Sequence, residues 1–293
     1  MSKPPPAPPL PAPPGPAPVA PQPCLSADAR PTTAWTRRTA VASMLAPLLL
    51  PGGRALARDR GPGALTDVRS GYQAVAAPAG EVLAVAMPAV RRGGLDIVGE
   101  GGRLVIPDGR NAGSGPLNLK GQFSSVELNG IRLDLPRDRI TDGIGLWGKS
   151  PQVTIRNSRV TGVHGQQDKR HGDGIQVGND AEIDTLVIEN CTICSAYQAM
   201  IAHRTPNGKG LSTLVMRNVN VRDEPDLRVQ LSIALLLGDK PTTGPKNAPY
   251  RIVLDNVWVD WPSQDHALQL PVGATVVGAV KFGVPPRGDF CPA

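Results

Sequence analysis

The sequence predicts an all-β protein, a solenoid of about six or more stacked coils of short parallel strands. Three observations predict it. One template, apolar-x-apolar-x-Asn-x-x-apolar, occurs as VTIRNSRV (153–160), LVIENCTI (186–193), LVMRNVNV (214–221) and IVLDNVWV (252–259). A second short apolar strand recurs between these copies: GIGLWG (143–148), GIQVGN (174–179), AMIAHR (199–204), IALLLG (233–238) and ALQLPVG (267–273). No stretch sustains a helical period, and the leucine pattern of leucine-rich repeats is missing.

The template explains its own asparagines, Asn157, Asn190, Asn218 and Asn256. Two earlier stretches, VELNGIRL and LDIVG, fit it with Gly130 and Gly99 in the asparagine slot, giving intervals of 31, 27, 33, 28 and 38 residues. Asparagine and glycine are the residues that most readily take positive φ. The slot is therefore expected to be a left-handed corner between two strands. Apolar and polar residues alternate on either side of it, and one repeat is too short to bury its own apolar face, so the repeats must stack.

In chain order, residues 1–57 read as a leader. Proline alternates with alanine from Pro4 to Pro23, a composition that cannot form a core. Arg37 and Arg38 then precede an apolar run too short to span a bilayer, which ends in Ala55-Leu56-Ala57. That combination reads as a secretory signal peptide cleaved after Ala57. The arginine pair resembles twin-arginine export signals, with Ala40 where a bulky apolar residue is usual. The expected location is periplasmic or secreted, with no stable membrane span after cleavage. Without the leader, 26 basic residues face 24 acidic ones, a formal charge of +2. Neither a basic run nor an aromatic stacking surface supports nucleic-acid binding. Residues 58–92 are expected to cap the solenoid, 93–275 to form its coils, and 276–293 to form a C-terminal tail or cap. CTIC, with Cys191 and Cys194, lacks the second pair that a zinc site needs and reads as packed residues of a repeat; Cys291 is available for a disulfide in an oxidising compartment.

The V-x-I-x-N coils and the Asp-Gly-Ile strand starts resemble right-handed parallel β-helix proteins of the pectate-lyase-like superfamily, over roughly residues 93–275. The resemblance implies an asparagine ladder along one edge, stacked aliphatics inside and a groove on the outer face of one sheet where polysaccharides bind. It specifies a fold rather than an activity.

The candidate site is HGDGIQV, residues 171–177. Asp142-Gly143-Ile144 repeats its Asp-Gly-Ile half, which therefore reads partly as turn chemistry, Asp bonding its own backbone and Gly taking positive φ. The other half is not repeated. His164, Asp168, Lys169, Arg170 and His171 crowd one loop before the strand. Alternation then turns Gln176 outward, along with Trp147 one coil back and His203, followed by Arg204, one coil on. His171 and Asp173 are two residues apart, so an imidazole–carboxylate hydrogen bond is expected to raise the ring's basicity. An indole face, amides, imidazoles and cations on one sheet suit a polysaccharide partner. The leading reaction is β-elimination on a uronate polysaccharide, with His171 or Lys169 as base, Asp173 as its partner, and Arg170, Arg204 and Gln176 neutralising charge. Trp147 and His203 complete the binding face. Hydrolysis by Asp142, Asp168 and Asp173 is the alternative, although no adjacent Asp-Asp pair is present; the Trp-and-His stretches of pectate lyases are missing too. A non-catalytic glycan-binding or adhesive β-helix is the third reading. The sequence leaves the cofactor open: calcium is possible on this fold, and no motif indicates it.

Overall fold

The computed structural model describes residues 66–291 apart from 68–70, 72, 88–90, 113–114, 166–170, 203–207, 228–231 and 239–249. Among the described residues every strand pairing is parallel, and the chain is an all-β parallel β-helix. Two short 3-10 turns, Pro225–Leu227 and Gln264–His266, are the helical elements among those residues.

Three sheets run along the stack. The first holds Gln73–Ala77, Leu95–Glu100, Leu117–Gln122, Ile144–Leu146, Asp173–Val177, Gln198–Ile201, Leu235–Leu236 and Leu268–Gln269, each paired with the next. The second runs from Val82–Ala86 through Arg103–Ile106, Ser125–Asn129 and Lys149–Arg156. It continues into the long strands Glu182–Ser195, Gly210–Asp223, Arg251–Asp260 and Thr275–Phe282. Those long strands bend in the middle, and their second halves stack on Gly109–Ala112, Ile131–Asp134 and Arg159–Val163 as the third sheet.

The bend is the asparagine slot. Asn157, Asn190, Asn218 and Asn256 have φ of 48, 53, 49 and 55°. Their amides form a ladder, Asn256 donating to Asn218 at 2.9 Å, Asn218 to Asn190 at 3.0 Å and Asn190 to Asn157 at 3.3 Å. One coil earlier the two jobs separate. Gly130 takes the corner at φ 71°, while Asn129 accepts the Asn157 amide at 2.8 Å. Gly99 belongs elsewhere: it lies inside the first-sheet strand Leu95–Glu100 and has no positive φ. Its glycine is required by contact, since a Cβ there would come 2.2 Å from the Gln122 carbonyl oxygen.

Inside, like stacks on like. Leu95, Leu117, Ile144, Ile175, Met200 and Leu235 form one column of the first sheet, each at most 1% exposed. Leu133, Val160, Ile193, Val221 and Val259 form another on the third sheet. Fully burying each such side chain is worth about 1.5–3 kcal/mol, so the columns carry the fold. Parallel pairing starts within 58–92, where a cap was expected, and the expected boundary at 275/276 falls inside Thr275–Phe282. Beyond that strand, residues 283–291 turn back over the outer face of the third sheet. There Asp289 meets Arg159 and Arg222, and Asn220 donates to it. Thr192 and Asn220 point outward yet are fully buried beneath this tail. Cys191, Cys194 and Cys291 are free thiols, all buried.

Candidate functional site

The two Asp-Gly-Ile motifs stack directly, because Ile144 pairs with Ile175. Their glycines do not take positive φ; they mark a corner with no room for a side chain. A Cβ at Gly143 would lie 2.4 Å from the Gly174 carbonyl oxygen and 2.7 Å from Val160, and one at Gly174 would lie 2.5 Å from Ile193. The aspartates also do something other than local turn bonding. Asp142 Oδ1 accepts the backbone N–H of Asp173 at 3.0 Å, one coil on, while the Asp173 carbonyl accepts the Gly143 N–H at 2.8 Å.

This tie holds two carboxyl groups together in a buried corner. Asp173 is 1% exposed, and its Oδ1 has no hydrogen-bond partner among the described residues. Burial, reinforced by the neighbouring Asp142 charge, pushes the Asp173 carboxyl up to about 8. Asp142 is also raised by burial, against the opposing pull of the Asp173 N–H and of His171. The pair therefore holds a proton at neutral pH.

His171 is exposed, and its partner is not Asp173. Its Nδ1 lies 2.7 Å from the hydroxyl of Tyr197, with ring centroids 5.2 Å apart and planes tilted by 48°. Tyr197 is buried at 6% exposure. Burial raises its phenol, Ser232 opposes the shift, and the Asp173 charge adds to it. A Cβ at Gly165 would sit 2.8 Å from the Tyr197 ring, so backbone closes over the phenol from that side. Asp173 and Gln198 pair across coils, which puts Gly172 beside Tyr197 and brings His171 onto the ring. The imidazole–carboxylate pair expected from the i, i+2 spacing is thus replaced by an imidazole–phenol pair above a carboxyl pair.

The outward face of the first sheet carries the rest. Trp147 is 39% exposed and Gln176 is half-buried, whereas Ile175, Val177, Met200 and Ala202 face the core. Gln176 stands beside Gly145 and Ile201 rather than directly beside Trp147. The Trp147 indole N–H donates to Asn118 Oδ1 at 3.3 Å, and Asn118 donates to Asp96 Oδ1 at 2.9 Å. Lys120 pairs with the other oxygen of Asp96. Lys169, Arg170, His203, Arg204 and Asp168, together with the leader and Ala57, lie outside the described residues. Among the described residues no group of three or more His, Cys, Asp or Glu is placed to hold a metal ion. Nor is any helix long and apolar enough to cross a membrane.

Residue-by-residue reading missed Tyr197, Asn118, Asp96 and Lys120. The signal for Tyr197 was available: sliding AMIAHR onto GIQVGN places it opposite Gly172, one residue from His171. The partnership of Asp142 with Asp173 was likewise implicit in the stacked Asp-Gly-Ile motifs. No protein-family model matches the chain, and no curated protein or solved structure matches it.

Proposed function

We propose that this chain is an exported, glycan-acting β-helix that cleaves a uronate polysaccharide by β-elimination at His171 and Tyr197. The observation that carries this reading is the 2.7 Å contact between His171 Nδ1 and the Tyr197 hydroxyl at the rim of the first sheet. With its proton on Nδ1, the imidazole donates to the phenol oxygen and keeps the Nε2 lone pair for a substrate C–H. Nε2 then takes the proton α to the uronate carboxylate. The C–H electron pair becomes the new C=C bond as the C–O bond to the leaving sugar breaks, and the leaving oxygen takes a proton from water, while Tyr197, on the Nδ1 side of the ring, orients the imidazole. The carboxyl pair below holds a proton at neutral pH, so the corner does not present two negative charges to an anionic substrate.

Hydrolysis fits less well. It needs two carboxyl groups reaching the scissile bond from opposite sides. Asp173 is buried, and the backbone N–H of Asp173 ties it to Asp142.

The test is to incubate the full chain with a panel of polyuronates and neutral polysaccharides, following unsaturated uronate ends and new reducing ends together. Elimination gives both signals on a polyuronate. His171→Ala should lower the rate by about 10²–10⁴-fold, as expected for loss of a general base. Reducing ends without unsaturation would move the chemistry to hydrolysis. Binding without either product would make the chain a glycan-binding module.

A further inference from the structure

We propose that Trp147 is the floor of a glycan subsite remote from the reacting bond, with Lys120 at its rim to meet a uronate carboxylate. The proposal rests on the glycan-acting reading above but not on the elimination chemistry.

Two glycines define the platform. Gly145 precedes Trp147 by two residues and points the same way, and Gly178 follows Val177, the partner of Leu146, in the next coil. A Cβ at Gly145 would come 2.4 Å from indole Nε1, and one at Gly178 would come 2.3 Å from Cε3. Ring atoms thus occupy the height at which any other side chain would begin. The indole lies down on the sheet across both glycines, keeping one face against backbone and turning the other to solvent. An outward tryptophan flanked by ordinary side chains would have to stand on edge. Here the sequence clears the ground on both sides of the ring.

The ring is also held in place. Its N–H is fixed by Asn118, whose own amide is fixed by Asp96. Asp96 is a nearly buried carboxylate, with its side chain 8% exposed, and it anchors Lys120, whose side chain remains 46% exposed. Leu119 pairs with Leu146, so Lys120 and Trp147 are lateral neighbours, about 4.8 Å apart at the backbone. A flat, pre-set aromatic face beside polar groups and an ammonium is what a pyranose ring with an acidic substituent requires. The C–H face of the sugar stacks on the indole and its carboxylate turns to the cation. Pre-set geometry matters because it cuts the rotamer entropy that the indole loses on binding.

The indole lies over Gly145, three residues after Asp142 on the same coil, roughly 10 Å along the chain. The platform therefore holds a different sugar from the one at His171 and acts on affinity rather than on bond breaking.

The experiment measures equilibrium binding of short oligogalacturonate, oligomannuronate and cello-oligosaccharide probes to the full chain carrying His171→Ala, which leaves the ligands intact. Adding Trp147→Ala should weaken oligouronate binding about tenfold or more, while Trp147→Phe retains most of it. Lys120→Met should weaken the oligouronates by about fivefold, more at low salt, with no effect on the neutral probe. Thermal melting of each variant separates lost binding from lost folding. Oligouronate binding unchanged by Trp147→Ala in a folded protein, or no binding of any probe, overturns the subsite. Trp147-dependent binding by a chain that never produces unsaturated ends keeps the subsite and removes the lyase.

Discussion

Asp173 concentrates the residue-scale physics of the site. Its carboxyl is buried beside a second carboxyl, and it keeps its proton up to about pH 8. An unfolded aspartate releases its proton near pH ~3.9. The folded state therefore binds the extra proton between those values. The contribution to stability is full below the unfolded value and falls by about 1.4 kcal/mol per pH unit as pH rises towards the folded one. Asp173→Asn removes the linkage. The variant should melt near the wild-type temperature at about pH 4 and well above it at about pH 8, which a pair of calorimetric scans measures. Equal melting temperatures at both values would mean that Asp173 titrates normally. The Asp-Gly-Ile glycines teach a related point. Their residue type was legible, but its cause was misread, because a tripeptide does not display the neighbouring coil that leaves no space for a Cβ.

At the scale of the element, the corner between the second and third sheets is one repeated device. A left-handed backbone turns the strand, and the same residue's amide ties each coil to its neighbours. Asn190 has φ of 53°, donates to Asn157 and accepts from Asn218. Asn190→Ala loses both bonds and places an ordinary side chain in a conformation costing it about 1–2 kcal/mol. Asn190→Gly loses the bonds but not the conformation. Urea titration should rank wild type above the glycine variant and the glycine variant above alanine, with alanine lower than wild type by about 2–3 kcal/mol. An alanine variant as stable as the glycine one would remove backbone geometry from the account. Gly130 and Asn129 show the two roles divided between adjacent residues, so an intervening glycine does not break the ladder.

For the whole molecule, the tail is the feature that no repeat pattern encodes. Asp289 links residues 283–291 to the third sheet through Arg159 at 2.7 Å, Arg222 at 3.3 Å and Asn220 at 2.9 Å. These partners hold its carboxyl below the usual range despite burial, which works against them. The clasp is thus present at neutral pH and weakens only as pH falls through that lowered value. Asp289→Ala removes the carboxylate that Arg159, Arg222 and Asn220 share, and with it the polar anchor of the tail. It should release the tail and expose the Cys291 thiol, now 3% exposed, to alkylation located by peptide mass mapping. Unchanged labelling of Cys291 in the variant would mean that the tail is held by other contacts.

The sequence by itself determined the all-β solenoid, the inward and outward faces of its strands, and the corner asparagines. Each follows from local rules: a two-residue side-chain period, and the few residue types that tolerate positive φ. It also placed the candidate site at the start of one strand. Only the tertiary structure decided which groups meet there, because partners in a solenoid are separated by one whole coil of variable length. Register between coils put Tyr197 rather than Asp173 against His171, set Asp142 against Asp173, and laid Trp147 across Gly145 and Gly178. It likewise assigned Gly99 to a strand instead of a corner and sent the tail over a sheet rather than across an end.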